Sequence, residues 1–259
     1  GMQDLGTLGG TYSSANAISA DGSTVVGVSG TGSATHAFRW TSSGMQDLGT
    51  LGGNYSYAYA VSADGVAVVG TSTTASNFTR AFRWTSAGMH DLGDLGGPQS
   101  EAYALSADGN TVVGSSYIDG VFYHAFRWTS AGMQDLGTLG GALSSASAIS
   151  ADGSAVVGSS YITGNSTRHA FRWTSAGMQD LGTLGGGVSE AFAVSADGLA
   201  VAGDSSTSGG SVHAFRWTSS GMQDLGTLGG GDSSASAISA DGAVVVGRDS
   251  VLQKAFVWD

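Results

Sequence analysis

A ten-residue string, Gly-Met-Gln-Asp-Leu-Gly-Thr-Leu-Gly-Gly, begins at Gly1 and returns whole or nearly so at Gly44, Gly88, Gly132, Gly177 and Gly221. Spacings of 43 to 45 residues restrict the chain to architectures assembled from one supersecondary unit per copy, either propeller blades or stacked helical pairs. The residues between the strings choose between these. They are mostly Gly, Ser, Thr and Val punctuated by turn signals, not the Ala-, Leu-, Glu- and Lys-rich runs that a helical repeat needs. The chain is predicted to be all-β.

Four short strands are expected in the first full repeat: A from Ser13 to Ser19, B from Ser23 to Val28, C from His36 to Thr41 and D from Met45 to Leu48. Asp21-Gly22, present in all six copies, reads as a two-residue type I′ hairpin turn between A and B. Thr41 to Gly44 reads as a three-residue C–D loop with Gly44 in a bulge, a register that sets Arg39 opposite Asp47 and Phe38 opposite Leu48. Val25, Val26, Phe38, Trp40, Leu48 and their copies are the expected core.

Variation among the copies is uneven. All length change falls between B and C, where the distance from the Gly of Val-Val-Gly to the Ala of Ala-Phe-x-Trp runs from 8 to 12 residues. On strand A the Ala positions are fixed, while Ser14, Tyr57, Glu101, Ser145, Glu190 and Ser234 share one varied position and Asn16, Tyr59, Tyr103, Ser147, Phe192 and Ser236 share another. In an antiparallel four-strand sheet the D–A and B–C connections lie at one end and the A–B and C–D turns at the other. One end is therefore expected to be variable and the other nearly uniform.

His36 to Trp40, His-Ala-Phe-Arg-Trp, followed by the ten-residue string, resembles the HAF repeat of bacterial extracellular proteins over the whole chain. Arg80 and Lys254 in place of His, and Val257 in place of Arg, depart from that motif. The order Ser-Ala-Asp-Gly, Val-Val-Gly, Ala-Phe-Arg-Trp also resembles the turn and Trp positions of WD-repeat-like blades. The resemblance implies an extracellular or cell-surface bacterial protein, often with an autotransporter-type or anchoring region outside the repeats, and no established enzymatic role.

The expected architecture is one domain over residues 1–259, a six-bladed β-propeller with four antiparallel strands per blade. Radial stacking buries both faces of each sheet, and ring closure protects edges that otherwise template aggregation. The first residues read as strand D (Met2 to Leu5) and the last as strand C (Lys254 to Asp259), which predicts a 3+1 latch in the closing blade.

A net charge of -11 with a single lysine, Lys254, argues against nucleic acid and anionic membrane surfaces, which reward clustered Lys and Arg. No run of apolar residues is long enough to insert into a membrane. His36, His124, His169 and His213 share one repeat position that a sixfold ring spreads too widely for a common ion, and no Asp-x-Asp-x-Asp-Gly loop is present, so neither metal nor cofactor is expected. Glu101 and Glu190 could form an acid/base pair at a channel mouth, the arrangement that hydrolyses glycosides, but solvated replacement of Ser is the simpler account.

The aromatics of the variable end are the stronger signal. Tyr12, Tyr55, Tyr57, Tyr59, Tyr103 and Phe192, with Glu101 and Glu190, are the candidate ligand-contacting residues. The leading expectation is a monomeric, non-enzymatic binding or adhesion module whose partner is a glycan or a surface protein. A structural spacer and, behind it, a glycan-processing enzyme are the alternatives.

Overall fold

The computed structural model describes all residues, 1–259, and contains 23 β-strands with no helix among its named elements. In chain order they are β1 (Ser13–Ile18), β2 (Val25–Gly30), β3 (Thr35–Thr41), β4 (Gly44–Asp47), β5 (Gly52–Val61), β6 (Val68–Thr74), β7 (Thr79–Thr85) and β8 (Gly88–Asp91). Then follow β9 (Ser100–Leu105), β10 (Val112–Tyr117), β11 (Tyr123–Thr129), β12 (Gly132–Asp135), β13 (Gly140–Ile149), β14 (Val156–Ile162), β15 (Arg168–Thr174) and β16 (Gly177–Asp180). The last are β17 (Gly185–Val194), β18 (Val201–Thr207), β19 (Val212–Thr218), β20 (Gly221–Asp224), β21 (Ser233–Ile238), β22 (Val245–Asp249) and β23 (Lys254–Trp258).

Consecutive strands pair antiparallel in four-strand meanders, as the repeat predicts. β9–β12, β13–β16 and β17–β20 form separate sheets, while β1–β4 and β5–β8 are joined by a single parallel pair, Thr35 with Tyr55. The last sheet, β21–β23, has three strands. The strand expected over Met2 to Leu5 is not formed: residues 1–7 carry no strand and Met2 is fully exposed. The chain divides into two compact bodies, residues 1–121 with 127–134, and residues 122–126 with 135–259.

One core constellation occurs in each body. Val26, Ala37, Leu48, Ala58, Val68, Phe82 and Trp84 pack together in the first, and Val157, Ala170, Leu181, Ala191, Val201, Phe215 and Trp217 occupy the same repeat positions in the second. Each cluster draws on two successive sheets, so apolar burial holds a sheet to its neighbour and not merely a sheet to itself.

Buried polar seams run beside these cores. The Ser56 hydroxyl accepts the Ala37 N–H at 2.8 Å and donates to the Gly49 carbonyl at 2.6 Å, tying β3 to the loop and strand that follow β4. Ser100, Ser144, Ser189 and Ser233 repeat the arrangement with Ala81, Ala125, Ala170 and Ala214.

Strand A is not a regular strand. The register steps from Ala15 opposite Gly27 to Ala17 opposite Val26, leaving Asn16 as the extra residue of a β-bulge. Tyr59, Tyr103, Ser147, Phe192 and Ser236 hold the same place. The bulge brings strand A's backbone against strand B and accounts for the glycine of Val-Val-Gly: a Cβ on Gly70 would lie 1.8 Å from the Tyr57 carbonyl oxygen.

Two expected turns are corrected. Gly22 has the left-handed φ of +73°, but Asp21 does not, so the A–B connection is not type I′. Instead Ser19 N–H bonds the Thr24 carbonyl at 2.9 Å, and the Asp21 carboxylate accepts from Ser19 Oγ and the Ser23 N–H inside the loop. Between C and D the loop has two residues and Thr41 faces Gly44, which shifts the register by one: Phe38 lies opposite Asp47 and Arg39 opposite Gln46. The expected Arg39–Asp47 pair does not form. Asp47 accepts from His36 Nδ1 at 2.9 Å, and Arg39 Nε donates to the Gly65 carbonyl at 2.9 Å. His124–Asp135, His169–Asp180 and His213–Asp224 repeat the His–Asp pair. Where Arg80 replaces His, it forms an ion pair with Asp94, which itself replaces the Thr of the ten-residue string.

The turn carboxylates carry a pH signature. Hydrogen bonds from Ser150 and then from the Ser154 N–H lower Asp152 to about 2, and Ser19 and Ser23 do the same for Asp21. A folded-state pKa below the unfolded one means stability that is whole above about pH 4 and lost as pH falls through the folded value. Asp152→Asn is therefore expected to flatten part of the fall in urea midpoint on going from about pH 4 to about pH 2. An unchanged slope would remove this turn as a source of acid sensitivity.

The sixth repeat departs at the end of strand B. Its five counterparts place a buried Ser (Ser29, Ser72, Ser116, Ser160, Ser205) whose hydroxyl accepts a Leu N–H from the D–A loop. Asp249 stands there instead, fully buried, accepting from the N–H groups of Leu252, Leu228 and Val251 at 2.7, 2.9 and 3.1 Å. Those bonds hold its carboxyl below the usual range, that from Leu252 most of all. A carboxylate with several acceptor sites lets the shortest B–C loop close on one side chain.

Candidate binding surface

The bulge and the loops of the variable end position the candidate aromatics, and the first body gathers most of them. Tyr12, Tyr55, Tyr57 and Tyr59 are 49, 45, 37 and 36% exposed, large aromatic faces left in water within 48 residues of chain. Scattered single exposures are ordinary on a soluble protein, whereas a contiguous set marks a contact surface. Tyr12 and Tyr55 line one cleft, and Tyr57 and Tyr59 follow Tyr55 at alternate positions of β5. The Tyr57 phenol is raised, first by burial and then by the phenols of Tyr12, Tyr59 and Tyr55.

Tyr59 stands in the β5 bulge with its ring centroid 6.3 Å from that of Tyr103, its counterpart in the β9 bulge. Thr71 Oγ1 donates to the Tyr59 hydroxyl at 3.3 Å. The Tyr103 hydroxyl donates to Glu101 Oε2 at 2.7 Å and lies 3.2 Å from Ser115 Oγ, and burial pushes its phenol well up. Of these rings Tyr103 is the most sheltered and Tyr12 the most exposed.

The remaining candidates fall in the second body. Glu190 forms an ion pair with Arg168 and lies across the β17–β18 ladder from Asp204. Asp204 accepts from Ser234 Oγ at 3.0 Å, and its carboxyl is raised, mainly by burial, with Glu190 adding to the effect. Phe192 occupies the bulge there and is half-buried. Glu101 and Glu190 therefore each have a local partner, Tyr103 and Arg168.

Sequence reasoning missed the polar residues that fix the aromatics. Tyr12 Oη lies 2.7 Å from Thr35 Oγ1, and the backbone of Tyr55 is tied to Thr73 Oγ1 at 3.0 Å. Both Thr residues flank the B–C loop whose variable length was visible, but which hydroxyl meets which ring depends on the loop's path. Clefts at the opposite end were also missed. One of about 370 Å³ is lined by Arg172, Leu199, Ala200 and Trp217, and one of about 210 Å³ has Arg83, Asn110, Thr111 and Trp128 at the same repeat positions. The turn end is thus less uniform than expected, because the rim residues after Asp-Gly differ between repeats.

No group of three or more His, Cys, Asp or Glu side chains is placed to hold a metal ion, and no helix is long and apolar enough to cross a membrane. No family model matches the chain, and no curated protein matches it. Solved structures do. The β-propeller domain of the Trilobed protease from Pyrococcus furiosus, described with an open velcro topology, aligns with a TM-score of 0.61 at 13% identity over 96% of this chain and 81% of that one. TolB from Acinetobacter baumannii aligns with a TM-score of 0.54 at 16% identity over 78% of this chain, and the match spans 50% of the TolB chain. An oligogalacturonate lyase in complex with manganese aligns with a TM-score of 0.58 at 13% identity, covering 91% of this chain and 70% of that one. At these identities the likeness establishes a β-propeller-like, all-β fold built of four-stranded antiparallel sheets, related to several propeller proteins.

Proposed function

We propose that this chain is a non-enzymatic binding module of an extracellular or cell-surface bacterial protein, and that it meets its partner, a glycan or a surface protein, through the tyrosine row of the variable end. The observation that carries the reading is the exposure of Tyr12, Tyr55, Tyr57 and Tyr59 together, Tyr12 and Tyr55 on one cleft and Tyr55, Tyr57 and Tyr59 at alternate positions of β5. Rigid aromatic faces with polar tips give large contact area at small entropic cost. Propeller relatives include enzymes, such as the oligogalacturonate lyase, but here the two candidate acids each engage a neighbouring side chain.

The test is a screen of the purified chain against glycan and bacterial surface-polymer arrays beside the Tyr57→Ala/Tyr59→Ala double variant. Binding is expected in the wild type and lost in the variant, with a destabilisation of about 1–3 kcal/mol, since Tyr59 packs on Tyr103 and accepts from Thr71, and with melting showing that the variant still folds. Full binding by the variant would sink the reading, and no binding by either would put the spacer role first.

The same proposal takes the chain as one six-bladed propeller over residues 1–259, a monomer of HAF-repeat kind. The ground for closure is that β21–β23 has three strands where each other repeat contributes four, with the strand-D sequence pattern of Met2 to Leu5 available for the fourth place although it forms no strand here. Small-angle scattering separates a closed ring from an open arc.

A further inference from the structure

We propose that the cleft between Tyr12 and Tyr55 is a binding site for a neutral saccharide, an assignment that rests on the tyrosine-row reading and names the ligand class for that part of it. The cleft has a volume of about 330 Å³. That is at the small end for ligand pockets and suits a short stretch of a longer glycan.

Its walls are set before any ligand arrives. The Tyr12 ring lies over Gly30, where an added Cβ would be 3.2 Å from a ring carbon, and its hydroxyl is held by Thr35 at 2.7 Å. Tyr55 is anchored through its backbone to Thr73 and paired with Thr35 across the two sheets, while its own hydroxyl makes no hydrogen bond within the protein. The glycines beside them are fixed too: Gly10 packs on Gly30 and donates its N–H to the Gly30 carbonyl at 2.9 Å, while Gly9 and Gly32 have φ of +97° and +98°. A wall fixed in this way lowers the ordering cost of binding a ligand.

The chemistry of the lining selects the class. No Asp, Glu, Lys, Arg or His borders the cleft, so nothing there answers a carboxylate, a phosphate or an ammonium group. A chain of net charge -11 further disfavours acidic polymers. The polar groups present are hydroxyls, Tyr12, Tyr55, Thr11, Thr35 and Ser33, each able to donate and to accept. Two aromatic faces with hydroxyls match the alternation of apolar ring faces and equatorial hydroxyls that defines a neutral sugar.

The test is calorimetric titration of the whole chain with cellotriose, mannotriose and N-acetylchitotriose as neutral probes, trigalacturonate as the acidic probe and a chitosan trimer as the cationic one. At least one neutral probe is expected to bind with Kd at or below about 10 mM. Its affinity should be unchanged between low and high salt, because no ion pair forms. Tyr55→Ala should weaken it about tenfold or more, and Tyr12→Phe, which loses only the hydroxyl, by less. Unaltered melting of both variants would show that the fold is intact.

Tighter, salt-sensitive binding of the acidic or cationic trimer overturns the assignment. So does neutral binding indifferent to Tyr12 and Tyr55, or no neutral binding up to about 10 mM. A ligand of another class that is lost in the Tyr57/Tyr59 variant but indifferent to Tyr55→Ala overturns the saccharide site and leaves the tyrosine-row reading standing. Indifference to both overturns both.

Discussion

Gly203→Ala is expected to destabilise the chain by about 4 kcal/mol or more, or to prevent folding of its sheet altogether. The new Cβ would lie 1.9 Å from the Glu190 carbonyl oxygen and 2.9 Å from the Ala191 Cα, both backbone atoms that no rotamer change can move. Relief requires undoing the bulge at Phe192, and with it the pairing of β17 and β18 that follows. Gly209→Ala is the control: its Cβ would meet only the Thr207 hydroxyl at 3.7 Å, its own φ is not positive, and a change within about 0.5 kcal/mol is expected. Urea denaturation of the two variants beside wild type checks this. Equal midpoints for all three would mean that the bulge does not press strand A against strand B as described.

Ser189→Ala comes second, at about 1–3 kcal/mol. The hydroxyl is buried, accepting the buried Ala170 N–H at 2.9 Å and donating to the half-buried Gly182 carbonyl at 2.5 Å, so its removal orphans a buried donor and leaves the carbonyl to water. Each buried group left without a partner costs about 1–3 kcal/mol, whereas the methylene lost with a hydroxyl is nil. Ser189→Cys keeps the shape with a weaker donor and acceptor and should fall between alanine and wild type. If alanine and cysteine behave alike, packing rather than hydrogen bonding is what Ser189 supplies.

The strand inventory was legible because each repeat alternates turn signals with β-branched and aromatic runs; in the first repeat the bounds depart from expectation by a residue or two, but β5, β13 and β17 begin four residues early and Met2 to Leu5 forms no strand. The register was not. Gly44 was rightly read as a position of positive φ, observed at +117°, but it opens β4 instead of closing the loop, and one residue of slip moved Asp47 from Arg39 to Phe38. The bulge hid for a related reason. An Ala-x-Ala pattern looks the same whether x is a regular outward residue or an extra one, and the clue lay across the ladder in the unvarying Gly27, Gly70 and their copies.

For the candidate surface, sequence supplied the members but not their company. Tyr12, Tyr55, Tyr57, Tyr59, Glu101 and Tyr103 meet within one body, whereas Glu190 and Phe192 belong to the other. Thr35 and Thr73 carried no signal, since a threonine beside a loop of variable length can reach many places. Arg80 and Asp94 were each readable as drift, and only their ion pair shows that the two changes answer one another.

The seam built by Ser56, Ser100, Ser144, Ser189 and Ser233 has a consequence for how such a chain can change over generations. Every seam takes its donor from one copy and its hydroxyl and acceptor carbonyl from the next, at identical offsets of 19 and 7 residues. Unequal recombination that inserts or deletes one whole copy therefore leaves each surviving junction chemically complete, whereas an insertion out of phase breaks two junctions at once. Copy number is a quantity this lineage can vary by genetic accident without inventing an interface, and selection on the loops can then act copy by copy.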